Sequence, residues 1–172
     1  MNYKITNKPT TNKPTTKNHK FPILIKLPEF RDMESKPIYS SFTSEFKVRP
    51  DDIDMFNHVH NSTYFDYVLA ARYEQMETCY KMPMDDFLKM GLGWVVRSAF
   101  VDYKRPLGLG DTFTVQTGIE TINSKGCRVK FEIRISKTGK IACDGWFDYV
   151  MINIADGKSV KVSDEMISNY SI

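Results

Sequence analysis

The chain has 172 residues, of which 41% are hydrophobic and 13% aromatic, so it can bury one sizeable core, which favours one globular domain over two. The net charge is +3 and the pI is about 8.6; much of the positive excess lies in the first twenty residues, while the remainder mixes both signs. Because nucleic-acid binding needs a basic face concentrated in the folded part, this distribution argues against a nucleic-acid partner.

The three cysteines, Cys79, Cys127 and Cys143, are odd in number and widely spaced. They form no Cys-x-x-Cys pair or Cys/His cluster, so we expect neither a disulfide framework nor a metal site, and no cofactor. No apolar run approaches the length of a membrane span, and the N-terminus lacks the apolar block of a signal peptide. The sequence therefore predicts a cytoplasmic protein without a membrane span.

The N-terminal segment contains a near-repeat, Asn7–Thr11 followed by Asn12–Thr16, in which Lys-Pro-Thr-Thr recurs. It is polar, contains proline and has few large apolar residues, so it cannot offset the entropy of becoming ordered. We predict that residues 1–35 form a disordered or loosely packed extension and that residues 36–172 form a single domain.

Hydrophobic periodicity predicts a strand and then a long helix. Apolar or small residues alternate with polar ones from Phe42 to Val48, which is strand spacing, and Pro50 follows the strand. From about Ser62 to Tyr80 the period becomes 3.6, with Phe65 and Leu69 widening an apolar face formed by Tyr64, Tyr67, Val68, Ala71 and Gln75. A capping box of Thr63 with Asp66, or Ser62 alone, could start this helix. Pro83 ends it, and a short helix is predicted over residues 84–90.

Beyond Gly93 the pattern predicts four strands, over residues 94–103, 113–122, 127–136 and 141–154, separated by turns that contain glycine or proline. Such a sheet has one apolar face to bury, and the long helix is the only element large enough to cover it. We predict an α+β fold in which an antiparallel sheet of about five strands wraps around one long helix. Helices and strands do not alternate, which disfavours a parallel Rossmann-type sheet.

The connection between the first strand and the long helix concentrates polar side chains. Two aspartates, two histidines and two asparagines lie between Asp52 and Asn61, and such loop residues are better candidates for function than for packing. The amides at the start of the helix can stabilise an oxyanion. A carboxylate such as Asp54 can activate water or attack a carbonyl carbon directly. Hydrolysis of an acyl thioester needs both parts, and both routes for Asp54 remain open.

The run Asp54-x3-His58-Val-x-Asn61-x2-Tyr64, followed by Ala71-Arg72, resembles the signature of the 4-hydroxybenzoyl-CoA thioesterase-like superfamily. Tyr103–Pro106 and Gly110-Asp111 extend this resemblance over roughly residues 40–155. It implies a hotdog fold, hydrolysis of an acyl-CoA or acyl-carrier-protein thioester, and Asp54 as the catalytic carboxylate. It also implies a homodimer or homotetramer whose active sites form at the subunit interface.

The sequence departs from the family pattern at two positions. Asn57 replaces the glycine that usually precedes the histidine, and His60 replaces the first asparagine of the usual pair. Asparagine tolerates a positive φ better than other non-glycine residues, so we expect the turn to be retained. Phe56 stands where plant acyl-carrier-protein thioesterases, which resemble this segment, carry an asparagine.

The candidate site residues have competing interpretations. Asp54 and His58 are the catalytic candidates, although Asp54 could cap the turn and His58 could stabilise the loop. Asp52 is expected to form the turn, and Arg72 to make an ion pair or a cap. The candidates for substrate binding are Asn57, His60, Asn61, Tyr64, Lys104 and Arg105, of which the last two lie at a strand end where they could meet the phosphates of coenzyme A.

Two other functions were weighed against hydrolysis. A hotdog hydratase or dehydratase typically carries Gly-Asp-x-Asn-Pro-x-His, with histidine five residues after aspartate. Here the spacing from Asp54 to His58 is four, and the glycine and proline are absent. A non-catalytic module that binds acyl thioesters is the second alternative, and an intact Asp54 argues against it.

Overall fold

A computed structural model describes residues 39–172, so the predicted extension over residues 1–35 lies outside the described residues. The strands are β1 (Ser41–Lys47), β2 (Leu92–Tyr103), β3 (Thr112–Asn123), β4 (Gly126–Ile135) and β5 (Ile141–Asn153). The helices are α1 (Thr63–Thr78), α2 (Met84–Lys89) and α3 (Asp164–Tyr170), and a single 3₁₀ turn spans Pro50–Asp52.

The five strands form one sheet in the order β1-β3-β4-β5-β2, and every neighbouring pair is antiparallel. Consecutive hairpins place β3, β4 and β5 side by side, while β1 and β2 take the two edges. The prediction of an α+β fold with about five antiparallel strands and one long helix is therefore confirmed.

The long helix α1 covers one face of the sheet. The face predicted from the 3.6-residue period is buried throughout, from Tyr64 to Gln75. It packs in a core with Phe113, Phe131 and Phe147 from three different strands. Burial of a large apolar side chain contributes roughly 1.5–3 kcal/mol, so this contact fixes the helix over the sheet.

The flank of α1 beside the buried face differs from the prediction. Phe65 is half-buried and stacks on Phe147 with ring centroids 5.2 Å apart. Leu69, which was predicted to widen the buried face, keeps 41% of its surface exposed, and Tyr73 keeps 50%. These residues recur every fourth position, so they form an apolar stripe along one side of α1.

The start of α1 uses other contacts than the predicted caps. The Ser62 side chain makes no capping hydrogen bond to the helix. Instead its hydroxyl lies 2.8 Å from Nδ1 of His60.

None of the helices among residues 39–172 combines the length and the apolar character needed to cross a lipid bilayer.

Helix α3 was not predicted from the sequence. Ser163 caps this helix by accepting a hydrogen bond from the Met166 amide at 3.2 Å. Its buried Tyr170 contacts the ring of Tyr80, with centroids 5.0 Å apart. A helix of seven residues is too short to show a clear hydrophobic period.

A buried polar chain ties α1 to the sheet. Gln75 donates to the hydroxyl of Ser44 on β1 at 3.1 Å and accepts from the hydroxyl of Thr117 on β3 at 2.5 Å. That hydroxyl in turn accepts from Nη1 of Arg72 at 3.2 Å. Arg72 was expected to make an ion pair or a cap, and no ion pair to it exists within residues 39–172.

Replacing Thr117 with valine keeps the volume but removes the hydroxyl that joins Gln75 to Arg72. We expect Thr117→Val to lower the free energy of unfolding by roughly 1–3 kcal/mol, because two buried polar groups lose a partner. Urea denaturation measures this change, with Thr121→Val at an exposed position of β3 as the control. Equal stability of the two variants would contradict the role assigned to the chain.

Candidate active site

The polar connection between β1 and α1 is a tight turn. Ile53 and Val59 pair as an antiparallel bridge, and the Asp54 amide donates to the His58 carbonyl at 2.8 Å. The Asn57 amide donates to the Asp54 carbonyl at 3.0 Å, and Asn57 itself has a φ of 60°. This left-handed conformation is one that glycine and asparagine adopt most readily. Asn57 therefore retains the turn, as predicted.

The two carboxylate oxygens of Asp54 have different surroundings. Oδ1 accepts from the Phe56 amide at 2.8 Å, with a longer contact of 3.4 Å from the His58 amide. Oδ2 makes no hydrogen bond to any of residues 39–172, and the side chain is half-buried. One oxygen thus caps the turn, and the second is available to water or a substrate.

Asp52 supports the turn through hydrogen bonds of its carboxylate, which agrees with its predicted structural role. Its carboxylate is buried and accepts from the Tyr67 hydroxyl at 2.7 Å and from the Arg49 amide at 2.8 Å. Burial by itself would raise the pKa of Asp52, but hydrogen bonds from Arg49 and Tyr67 outweigh it and lower the pKa. Asp52 is committed to these contacts and does not line the pocket that Asp54 borders.

A pocket of about 530 Å³ lies where the turn, the first turn of α1 and the end of β2 meet. It gathers every predicted site residue except Asn57, whose contribution is the backbone of the turn. The predicted residues that line it are Asp54, His58, His60, Asn61, Tyr64, Lys104 and Arg105. Asp54 and Arg105, about fifty positions apart in the sequence, therefore meet at one site.

Four further lining residues, Phe56, Val59, Tyr103 and Pro106, were not among the predicted site residues, and two of them are aromatic. Phe56 projects from the turn with 74% of its surface exposed. Tyr103 donates from its hydroxyl to the Asn61 carbonyl at 2.8 Å, and its ring meets the edge of Tyr64. Tyr103 begins the Tyr103–Pro106 element of the family resemblance, which is the signal that could have identified it.

The two histidines of the turn have different contacts. Both side chains are exposed. His60 Nδ1 accepts from the Ser62 amide at 3.3 Å and lies 2.8 Å from the Ser62 hydroxyl. His58 contributes only backbone hydrogen bonds to the turn, and its ring makes none to a residue of the described segment.

Tyr64 forms the floor of the pocket. Its buried hydroxyl accepts from the Leu107 amide at 3.0 Å, which ties α1 to the loop after β2. Burial raises the pKa of Tyr64 to about 12, so the phenol stays protonated at neutral pH. The Asn61 carbonyl braces the loop by accepting from the Tyr103 hydroxyl, whereas the Asn61 side chain makes no hydrogen bond within residues 39–172.

Lys104 and Arg105 differ in whether their positive charge is already paired with a carboxylate. Lys104 forms ion pairs with Asp144 and, at 3.3 Å, with Asp102. The hydrogen bond to Asp144 is the main reason that its pKa is raised. Arg105 donates to the Ile141 carbonyl at 2.9 Å and has no carboxylate partner among residues 39–172. Arg105 is therefore the better of the two candidates for a phosphate.

The N-terminus of α1 offers backbone donors beside Asp54. The Thr63 amide bonds to the His60 carbonyl and the Phe65 amide to the Ser62 carbonyl. The amides of Asn61 and Tyr64, in contrast, have no hydrogen-bond acceptor in the described part of the chain. Unused donors at a helix N-terminus favour an anion or a developing negative charge.

Known proteins with similar sequences identify the family of this chain. The sequence model of the thioesterase-like superfamily matches residues 48–169, well over half of the chain. The long-chain acyl-CoA thioesterase FadM of Escherichia coli K12 is 25% identical over 126 residues, which cover 72% of this chain and 92% of that protein.

Solved structures share the same fold. The DHNA-CoA thioesterase of Staphylococcus aureus superposes with a TM-score of 0.71 at 20% identity, covering 76% of this chain and 89% of that one. Another S. aureus protein, whose structure was determined in complex with CoA, gives a TM-score of 0.66 at 19% identity and covers 77% of this chain and 82% of its own.

The chain belongs to the thioesterase-like superfamily. Its five-stranded sheet and α1 form the hotdog fold that the resemblance predicted, and the named relatives are thioesterases. The protein is thus a thioester hydrolase by family, and the prediction of that activity is confirmed at this level.

The left-handed backbone of Asn57 can be tested by substitution. We expect Asn57→Ala to lower the free energy of unfolding by roughly 1–2 kcal/mol, because alanine pays the full steric cost of that conformation. Asn57→Gly should be close to neutral. Urea denaturation of both variants measures the difference, and an alanine variant as stable as the glycine variant would contradict the assigned geometry.

Proposed function

We propose that this protein hydrolyses acyl-CoA thioesters in the pocket at the N-terminus of α1, with Asp54 as the catalytic carboxylate. The observation that carries the proposal is the pairing of two features. Oδ2 of Asp54 is free of hydrogen bonds to the described residues, and it shares a small region with two amides that lack an acceptor. Carbonyl addition requires both a base or nucleophile and donors for the oxyanion.

The thioester carbonyl oxygen would lie against the Asn61 and Tyr64 amides, where it gains negative charge as the carbon becomes tetrahedral. Asp54 would then act in one of two ways. It takes a proton from a water molecule that attacks the carbon, or it attacks directly and forms an anhydride that water later opens. In both routes the carbon–sulfur bond breaks, and the thiolate of coenzyme A takes up a proton.

The remaining pocket residues would bind and orient the substrate. His58 lies at the rim with a ring that has no fixed hydrogen bond, so it can contact the thioester or relay a proton to the leaving thiol. His60 and Asn61 would form the opposite wall and Tyr64 the floor. Arg105 would meet a phosphate of coenzyme A, and Lys104, already paired with two aspartates, would contribute less.

Coenzyme A is the carrier we favour over acyl carrier protein. FadM acts on long-chain acyl-CoA, and one structural neighbour was solved with CoA bound. The cytoplasmic location inferred from the sequence stays a prediction.

Asp54→Asn separates the two roles of this carboxylate. The amide oxygen of asparagine can still accept from the Phe56 amide and hold the turn, whereas the side chain can no longer serve as a base. We expect kcat/KM for acyl-CoA hydrolysis to fall by about 10²–10⁴-fold with little change in stability. Free-thiol release from a panel of acyl-CoAs measures this loss.

Asp66→Asn is the matched control, because Asp66 is an exposed carboxylate on α1 outside the pocket. Wild-type rates for Asp54→Asn would reject Asp54 as the catalytic group. If the wild type releases no thiol yet is stabilised against heat by acyl-CoA, the alternative of a non-catalytic binding module gains support.

We further propose that the chain assembles as a homodimer through β2. This 12-residue strand bonds to β5 on one side, and no strand of the described segment covers its other edge. Val95 and Val96 on β2 and the Leu69 and Tyr73 stripe on α1 expose apolar surface beside that edge. Pairing of two copies would cover both the open edge and the apolar stripe.

A charge placed on this surface should prevent the pairing. We expect the wild type to sediment with twice the mass of one chain and the double variant Val95→Lys/Val96→Lys to sediment as a folded monomer at micromolar concentration. Thr121→Lys on β3 is the control and should remain dimeric. A wild-type protein that sediments as a monomer would reject the proposed interface.

A further inference from the structure

A second cavity lies further along α1, away from the pocket of Asp54. Its volume is about 360 Å³, and it is bounded by the second half of α1, the first half of β2 and the inner face of β3 and β4. Most of its wall is apolar, with Met76, Trp94, Ile119 and Val129 among the lining residues. No aspartate or glutamate of the described segment lines it.

The apolar wall is interrupted by one charged group. Arg72 lines the cavity although only 7% of its surface is exposed. Its guanidinium carries five N–H donors, of which one bonds to the Thr117 hydroxyl, and it lies 5.0 Å from the centre of the Tyr80 ring. A buried charge without an opposite charge is costly, so this arginine favours an anionic partner.

Two phenol groups accompany the guanidinium. Tyr149 and Tyr170 both line the cavity, and both hydroxyls are buried without a hydrogen-bond partner in residues 39–172. Burial is the main influence on both and raises the pKa of Tyr149 to about 12, while the nearby charge of Arg72 acts in the opposite direction. The hydroxyls therefore remain protonated and, like the guanidinium, can donate to an acceptor.

The cavity is placed to receive a chain that starts at Asp54. The Asp54 pocket is bordered by the first turn of α1 and the end of β2. The cavity is bordered by the second half of α1 and the start of β2. From the first pocket toward the second run the half-buried Phe65 and the exposed Leu69, and Leu69 also lines the cavity. From Thr63 to Arg72 the helix rises roughly 14 Å, a distance that an extended acyl chain of medium length spans.

We infer that this cavity binds the far end of the acyl group and that Arg72, Tyr149 and Tyr170 select chains that end in a carboxylate. The favoured substrate class is then the coenzyme A monothioester of a dicarboxylic acid. The inference rests on the proposed function, because the thioester of the same molecule must reach Asp54. The methylene chain lies against the apolar wall, and the terminal carboxylate accepts from the guanidinium and the two phenols.

The test compares substrates that differ only at the far end. Full-length protein is assayed with dodecanedioyl-CoA, its terminal methyl ester and dodecanoyl-CoA, and the series is repeated with the decanoyl and tetradecanoyl equivalents so that no length is assumed. We expect kcat/KM for the best dicarboxylic substrate to exceed that for its two neutral counterparts by roughly ten- to a hundred-fold, the value of hydrogen bonds to a charged group. Equal or faster hydrolysis of the neutral substrates overturns the inference and leaves the proposed function standing.

Variants of the cavity residues test which side chains cause the preference for a terminal carboxylate. Arg72→Met should abolish the preference for the carboxylate, and Tyr170→Phe, which removes one hydroxyl and keeps the ring, should reduce it several-fold. Tyr80→Phe is the matched control, because the Tyr80 hydroxyl is also buried and unpartnered but does not line the cavity. An unchanged preference in Tyr170→Phe, or an equal loss in Tyr80→Phe, counts against the assignment, and it does so even if Arg72→Met fails to fold.

A binding measurement keeps the inference testable if no hydrolysis occurs. Thermal unfolding is followed with free dodecanedioate and with free dodecanoate, in the wild type and in Tyr170→Phe. Greater stabilisation of the wild type by the dicarboxylate, reduced in the variant, supports the cavity assignment although the proposed function has failed. No difference between the two ligands rejects it.

Discussion

The burial of one face of α1 against the sheet is the contact on which the rest of the structure depends. Tyr64, Val68 and Ala71 pack among residues from three strands, and the Gln75 chain of hydrogen bonds ties the same face to β1 and β3. This packing fixes the first turn of α1 over the end of β2. The helix amides, the Asp54 turn and Arg105 meet there because the helix cannot shift without uncovering the core.

Asp54 shows that a structural and a catalytic interpretation of one side chain need not exclude each other. Its Oδ1 holds the turn through the Phe56 amide, and its Oδ2 is left for other partners. The first contact restricts the side chain to one orientation, which is what a positioned base requires. Asp52 completes the support, since its bonds to Arg49 and Tyr67 anchor the start of the same turn to α1.

Both pockets and the surface proposed for assembly lie along α1 and β2. One helix cannot fill the whole width of a five-stranded sheet, and the uncovered part lies along β2. The same gap leaves Leu69 and Val96 exposed in a single chain. Substrate length, selection of the chain end and contact between subunits would therefore all depend on this one strip of apolar surface.

The sequence by itself determined the five strands, the long helix and most of the residues that line the site. Strict periods of 2 and 3.6 residues revealed the strands and the buried face of α1, because a two-sided element must segregate its apolar side chains. The dense polar run from Asp52 to Asn61 predicted the turn. Because asparagine tolerates a positive φ, the sequence also predicted that Asn57 would adopt the conformation that the turn requires. Local patterns carry this information since each depends on neighbouring residues alone. Only the tertiary structure decided which distant residues meet: Tyr103 against Asn61, Lys104 neutralised by Asp144, and Arg72 buried beside Tyr149 and Tyr170. These contacts depend on strand order and on the position of α3, which no local period encodes.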